Sequence, residues 1–159
     1  MNAAVLTVSD RVARGAAADT SGDALGELLQ ADGYEVERRV VPDEPDQIAR
    51  AIDELAGAAA LVLTTGGTGL GPRDVTPEAT RSVIRREAPG IAEAVRADAI
   101  ARTPHGLLSR GIAGVAGRTL IVNLPGSTGG CRDGYAVLRP ALPHALALLR
   151  DAPTDHQQT

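Results

Sequence analysis

The chain has 159 residues, 16 Lys+Arg against 20 Asp+Glu, a formal net charge of -4, 43% hydrophobic residues and only 1% aromatics. All 16 basic residues are Arg, and Phe and Trp are absent. The acidic balance speaks against a general nucleic-acid binder, the lack of aromatics removes the platforms for base stacking, and the absence of Lys excludes a Walker A loop.

One domain of ordinary size is expected over residues 1–151, followed by a polar tail at 152–159. Cys131 is the only cysteine, which rules out an intramolecular disulfide and suits a reducing compartment. The apolar run at residues 3–8 is too short for a signal-peptide core or a membrane span, so a soluble cytoplasmic protein is expected.

In chain order, residues 4–9 (AVLTVS) read as a strand buried on both faces, because the run is nearly continuous and apolar. A helix starts near Ser21, presents Leu25, Leu28 and Leu29 on one face, and stops at Gly33. Residues 34–41 (YEVERRVV) alternate with charge and predict a more exposed edge strand. Ile48, Ile52 and Leu55 mark a helix from about Glu44. Residues 60–65 (ALVLTT) are a second buried strand. Thr76-Pro77-Glu78 predicts a helix start with Thr76 as capping hydroxyl and Pro89 as the stop. Ile91, Val95 and Ala99 suggest another helix to about Ala101. Residues 103–118 stay open between a hairpin and an irregular excursion, and the apolar stretch 112–115 is a candidate for pairing across an interface. Thr119–Leu124 is the last buried strand, and a final helix runs from about Ala141 to Arg150. Strands alternating with helices predict βαβ units and a mainly parallel sheet.

In an open parallel sheet, ligands bind beyond the carboxyl ends of the strands. Each predicted strand ends in a polar or glycine-rich cluster: Ser9-Asp10-Arg11, then Pro42-Asp43-Glu44, then a run from Gly66 to Asp74 (GGTGLGPRD), then Pro125-Gly126-Ser127-Thr128-Gly129-Gly130. Small residues let backbone N–H groups approach an anion, and a helix N-terminus adds its dipole. Pro72 stands where GxGxxG needs its last Gly, so a dinucleotide site is not indicated. The fourth cluster also reads as a simple strand-to-helix turn. Asp43 and Asp74 follow different strands and are candidates to hold Mg²⁺ against phosphates. Plainer alternatives stay open: Asp43 as a helix cap, Asp74 as the ion partner of Arg73, Asp10 as a surface-turn residue. The three histidines have no metal-ligand spacing among themselves or with Cys131, and Cys131 reads as a packing residue rather than a nucleophile.

Together these motifs resemble the MoaB/Mog molybdopterin-binding family: TVSDR at 7–11, DTSG at 19–22, VPDE at 41–44, TTGGTGLGPRDVTPEAT at 64–80, LLSRGIAG at 107–114 and VNLPGSTGG at 122–130. The resemblance runs from about Leu6 to Leu149. It implies a three-layer α/β/α domain with a mixed, mainly parallel sheet, and a homotrimer, with a hexamer as the alternative. It also implies a late step of molybdenum cofactor synthesis, similar to that of the gephyrin G domain. AMP passes from Mg-ATP to the terminal phosphate of molybdopterin, pyrophosphate leaves, and the product goes on to a molybdenum insertion enzyme. By the same resemblance Asp43 and Asp74 are the functional aspartates and Mg²⁺ holders. Ser9, Asp10, Gly66, Gly67, Thr68, Gly69, Ser109, Arg110, Pro125, Gly126 and Ser127 contact the pterin or the nucleotide. Many family members carry a Lys shortly after the Pro-Gly turn; residues 127–132 have none, so that role is either absent here or moved to Arg132. The alternatives are a non-catalytic molybdopterin-binding paralogue or scaffold, and a nucleotide hydrolase.

Overall fold

The computed structural model describes residues 1–150, so the expected tail at 152–159 lies outside the described residues. The elements in chain order are β1 (Asn2–Val8), α1 (Asp10–Ala13), α2 (Thr20–Ala31), β2 (Glu35–Val41), α3 (Pro45–Ala56), β3 (Leu61–Thr65), α4 (Thr76–Val83) and β4 (Arg86–Glu87). They continue with α5 (Pro89–Arg102), a 3₁₀ turn (Pro104–Leu108), β5 (Ala113–Ala116), β6 (Thr119–Leu124), α6 (Thr128–Leu138) and α7 (Leu142–Leu149).

Among the described residues the strands form a six-stranded sheet in the order β2-β1-β3-β6-β5-β4. The first four are mutually parallel, and β5 and β4 add an antiparallel end. The continuous apolar runs follow from this architecture. Alternate side chains of one strand point to opposite faces. Ala3, Val5, Leu61, Leu63, Leu120, Val122 and Leu124 pack with α2, α5, α6 and α7 on one face. Ala4, Leu6, Val8, Val62 and Ile121 pack with α3 and α4 on the other. The three-layer α/β/α architecture with a mixed, mainly parallel sheet is therefore the one expected.

The edge position of β2 matches its alternating charge. Arg38 pairs with Asp19 and Asp23, and Arg39 with Glu37 and Glu54, so the free edge is lined with ion pairs.

Several local expectations change. Pro89 does not stop α4; that helix ends at Val83, β4 intervenes, and Pro89 opens α5, where a first-turn proline costs no hydrogen bond. Thr76 does not cap α4: Val75 is the cap residue, and the Thr76 hydroxyl donates to the Gly66 carbonyl instead (2.9 Å). Residues 103–118 hold both a short excursion, the 3₁₀ turn, and a hairpin, in which β5 pairs antiparallel with β6. The stretch 112–115 is consequently not an open edge; Ala113–Ala116 bonds to β6 on one side, and Arg86–Glu87 flanks it on the other. The sequence reading leaves α6 only as the helix implied by the strand-to-helix alternative for the fourth cluster; its three glycines in eleven residues give it low intrinsic helix propensity. Packing overrides this, with Cys131, Tyr135 and Leu138 buried along one face.

Candidate functional site

The carboxyl ends of β1, β3 and β6 lie side by side, which brings three of the sequence clusters together. Gly66 and Gly126 make this meeting possible. Gly66 has φ +97°, and a Cβ there would overlap the Val8 carbonyl oxygen. A Cβ on Gly126 would lie 3.3 Å from the Gly66 Cα, so the loop after β3 and the turn after β6 pack backbone against backbone.

The loop closes on itself, since the Thr76 hydroxyl binds the Gly66 carbonyl and the Thr76 amide donates to the Gly67 carbonyl (3.1 Å). Below the second turn, the buried Thr65 hydroxyl donates to the Pro125 carbonyl (2.8 Å) and sits 3.0 Å from Ser21 Oγ. Cys131 Sγ packs against the same carbonyl (3.1 Å), and burial pushes its thiol up to about 11. A thiol so rarely ionised is a poor nucleophile. Ser127 caps α6 by accepting from the Gly130 amide (3.1 Å), which aims the start of that helix at the same space.

That space is a cleft of about 550 Å³. Gly67, Thr68, Gly69 and Asp74 line it from the first loop, Pro125, Gly126 and Ser127 from the second, and Ser109 from the strand-like segment after the 3₁₀ turn. The remaining candidates stand around it. Gly66 is the base of the first loop. Ser9 caps α1 through the Val12 amide (3.3 Å). Asp10 and Asp43 are locked together: the Asp10 amide donates to Asp43 Oδ2 (2.9 Å) and the Asp43 amide to Asp10 Oδ1 (3.0 Å). Asp43 is therefore not the cap of α3; Glu44 holds that position. Arg73 grips Asp10 through two bonds of 3.0 Å and reaches Glu44 (2.9 Å), so it is not the partner of Asp74. Asp74 Oδ2 accepts from the Gly71 amide (2.9 Å). Arg110 donates to the Gly69 carbonyl (2.7 Å), the Asp74 carbonyl (2.6 Å) and the Glu78 carboxylate.

The electrostatics separate the carboxylates. The Arg73 guanidinium and the Asp43 amide hold Asp10 below the usual carboxylate range. Burial pushes Asp43 up, and the like charges of Asp10 and Asp74 add to that push, outweighing the Asp10 amide bond. Asp43 Oδ1 lies 3.3 Å from the place a Cβ on Gly67 would take, so its free oxygen is at the cleft's rim. A divalent cation relieves such crowded negative charge. Among the described residues no three His, Cys, Asp or Glu side chains converge on one point. Two hard carboxylates without a full protein cage suit Mg²⁺, which keeps waters and shares phosphate oxygens. The donor set fits the ion.

Asp43→Asn is expected to raise the melting temperature at neutral pH. The folded-state pKa is raised, so the stability that Asp43 contributes is fully present below its unfolded value and is lost as pH rises through the folded value. Asn keeps an acceptor for the Asp10 amide and carries no charge. Thermal unfolding near pH 7 and near pH 3 checks this: the gain should appear in the first and vanish in the second. A lower melting temperature at neutral pH contradicts the account.

Sequence reasoning missed the far wall of the cleft: Arg96, Asp98 and Arg102 of α5, His105 of the 3₁₀ turn, and Asp133 of α6. Asp98 and Arg102 form an i,i+4 pair (2.8 Å) that reads in sequence as an ordinary solvated helix face. Arg132 is exposed on α6; the arginines lining the cleft are Arg96 and Arg102.

A family model described as a probable molybdopterin binding domain matches residues 4–144. The chain is similar to gephyrin of Dictyostelium discoideum, 42% identical over 94% of this chain and 22% of that protein. It is similar to the molybdopterin adenylyltransferase of Helicobacter pylori (strain J99), 37% identical over 91% of this chain and 85% of that one. Among solved structures it is similar to the molybdopterin biosynthesis enzyme MoaB of Thermus thermophilus, with a TM-score of 0.88 and 48% identity over 96% of this chain and 98% of that one. The chain thus spans about a fifth of the gephyrin and most of the two bacterial proteins.

Proposed function

The chain belongs to this molybdopterin-binding domain family of molybdenum cofactor biosynthesis, and from that premise we propose that it transfers AMP from Mg-ATP to the terminal phosphate of molybdopterin. A phosphate oxygen of the pterin attacks the α-phosphorus of ATP. The bond from that phosphorus to the bridging oxygen breaks, and pyrophosphate leaves with the electron pair. The nucleophile belongs to the substrate, so no protein nucleophile is required, in keeping with the buried, protonated Cys131.

Transfer of this kind is driven by positioning and charge neutralisation. The amides of residues 67–69 and the start of α6 receive phosphate oxygens, with Ser127 and Ser109 at their flanks. Asp43 and Asp74 would hold Mg²⁺, which supplies charge neutralisation on the triphosphate when bound. One observation carries the reading: the two glycine turns and Asp74, scattered over sixty residues of sequence, line a single cleft. The same reading includes a homotrimer, with a hexamer as the alternative, working in the cytoplasm and passing its product to a molybdenum insertion enzyme. Among the described residues no helix is long and apolar enough to cross a membrane.

A non-catalytic molybdopterin-binding paralogue is favoured by one observation: both arginines lining the cleft already bind protein oxygens, Arg96 the Ser109 and Gly111 carbonyls and Arg102 the Asp98 carboxylate. Incubation with molybdopterin and Mg-ATP separates the two. Pterin-dependent pyrophosphate release is expected. Pterin binding with no pyrophosphate would select the binder.

A further inference from the structure

We propose that Arg110 is a positioning residue: it straps the 68–74 loop and so places Asp74, without itself touching the substrate. The proposal rests on Asp74 being an active-site carboxylate, as the proposed function has it. Arg110 reaches across more than thirty residues of sequence to four residues of one segment. Its amide donates to the Thr68 carbonyl (2.8 Å) and its Nε to the Gly69 carbonyl (2.7 Å), both at the start of the loop. Its Nη2 donates to the Asp74 carbonyl (2.6 Å), at the loop's end. Its Nη1 donates to the Glu78 carboxylate, in the first turn of α4.

Between these anchors the chain bends so that Asp74 Oδ2 accepts from the Gly71 amide and stands 2.9 Å from the place of a Cβ on Gly69 or Gly71. Thr76 closes the base of the loop on Gly66 and Gly67, and within that closure one guanidinium ties Gly69 to Asp74, which sets where the carboxylate stands. The neighbouring Ser109 lines the cleft, whereas the Arg110 side chain spends its fork on the loop. Lysine cannot replace that fork, because an ammonium is a point donor on a flexible stem.

The test compares Arg110→Met and Arg110→Lys in steady-state transfer, in equilibrium binding of molybdopterin without ATP, and in hydrogen exchange. A loop displaced by about 1 Å is expected to lower kcat about 10²-fold, while the pterin Kd stays within about threefold. Arg110→Lys is expected to be as slow as Arg110→Met, since charge alone does not restore the strap. In an Asp74→Asn background, Arg110→Met should add little further loss, because both changes remove one function. A pterin Kd weakened about tenfold or more, rescue by Lys, or losses that multiply with Asp74→Asn would each overturn the proposal in favour of direct phosphate contact.

Exchange at the 68–74 amides keeps this failure distinct from that of the functional reading. It should rise in Arg110→Met whether or not the protein turns over; unchanged exchange overturns the strap. If Arg110→Met does not fold, Arg110→Lys is read by the same exchange measurement, since it keeps the charge and loses the fork: exchange at 68–74 is expected to rise, and unchanged exchange overturns the strap.

Discussion

Asp74→Asn is expected to lower AMP transfer by about 10²- to 10³-fold while the protein stays folded, the range seen when one electrostatic group is removed from a developing phosphoryl or oxyanion charge. The substitution is close to isosteric. Asn retains an oxygen that accepts from the Gly71 amide, and the backbone carbonyl of residue 74 still accepts from Arg110, so the loop keeps its ties. What disappears is the negative charge facing the glycine turns, and with it one of the two oxygens that would hold Mg²⁺. Two measurements go together: pyrophosphate release with molybdopterin and Mg-ATP, and thermal unfolding. A variant that melts like the parent and transfers AMP within about threefold of its rate removes Asp74 from the mechanism.

Gly66→Ala is expected to destabilise the fold by about 3 kcal/mol or more, combining a backbone penalty of about 1–2 kcal/mol with a collision that needs main-chain movement. Gly66 sits at φ +97°, and the atom in the way of its missing Cβ is the Val8 carbonyl oxygen at the end of β1, not a flexible side chain. Relief of that overlap pushes the loop off the Gly126 turn and pulls on the Gly66 amide, which donates to the Leu124 carbonyl (3.3 Å). Gly117→Ala supplies the comparison. It has φ +58° with open space where a Cβ would stand, so only the backbone penalty of about 1–2 kcal/mol applies. Urea unfolding of both variants isolates the steric part as their difference. Equal losses would show that the contact of β1 with the loop after β3 does not constrain the fold.

The contrast between these two glycines shows where sequence reading stops. Both have positive φ, and nothing local shows which of them has main chain in the way of a Cβ. Val8 and Gly126 give Gly66 its meaning, and they lie far from it in sequence. Asp43 and Asp74 are a similar case. Their types and their places after strands are legible, and so is their suitability for a hard cation. Their actual partners are not: Asp43 is locked to Asp10, Asp74 to the Gly71 amide, and Arg73, adjacent to Asp74, serves Asp10 and Glu44. Adjacent residues on a bent loop diverge, so neighbourhood in sequence is a poor guide to ion pairing. Arg110 carries the point furthest, since its proposed part comes from carbonyl groups that every residue possesses.

The burial of β1, β3 and β6 on both faces, the charged edge of β2 and the amphipathic faces of α2 and α3 were determined by the sequence alone. Each follows from a period of 2 or 3.6 residues set by local backbone geometry. The motifs of the strand ends also determined the family. Tertiary structure alone decided that glycine-rich α6 is a helix, that the far wall of the cleft is made by α5, His105 and Asp133, and that Arg110 ties down the loop. In each of these the deciding energy is packing or a hydrogen bond between residues distant in the chain, and no local pattern encodes it.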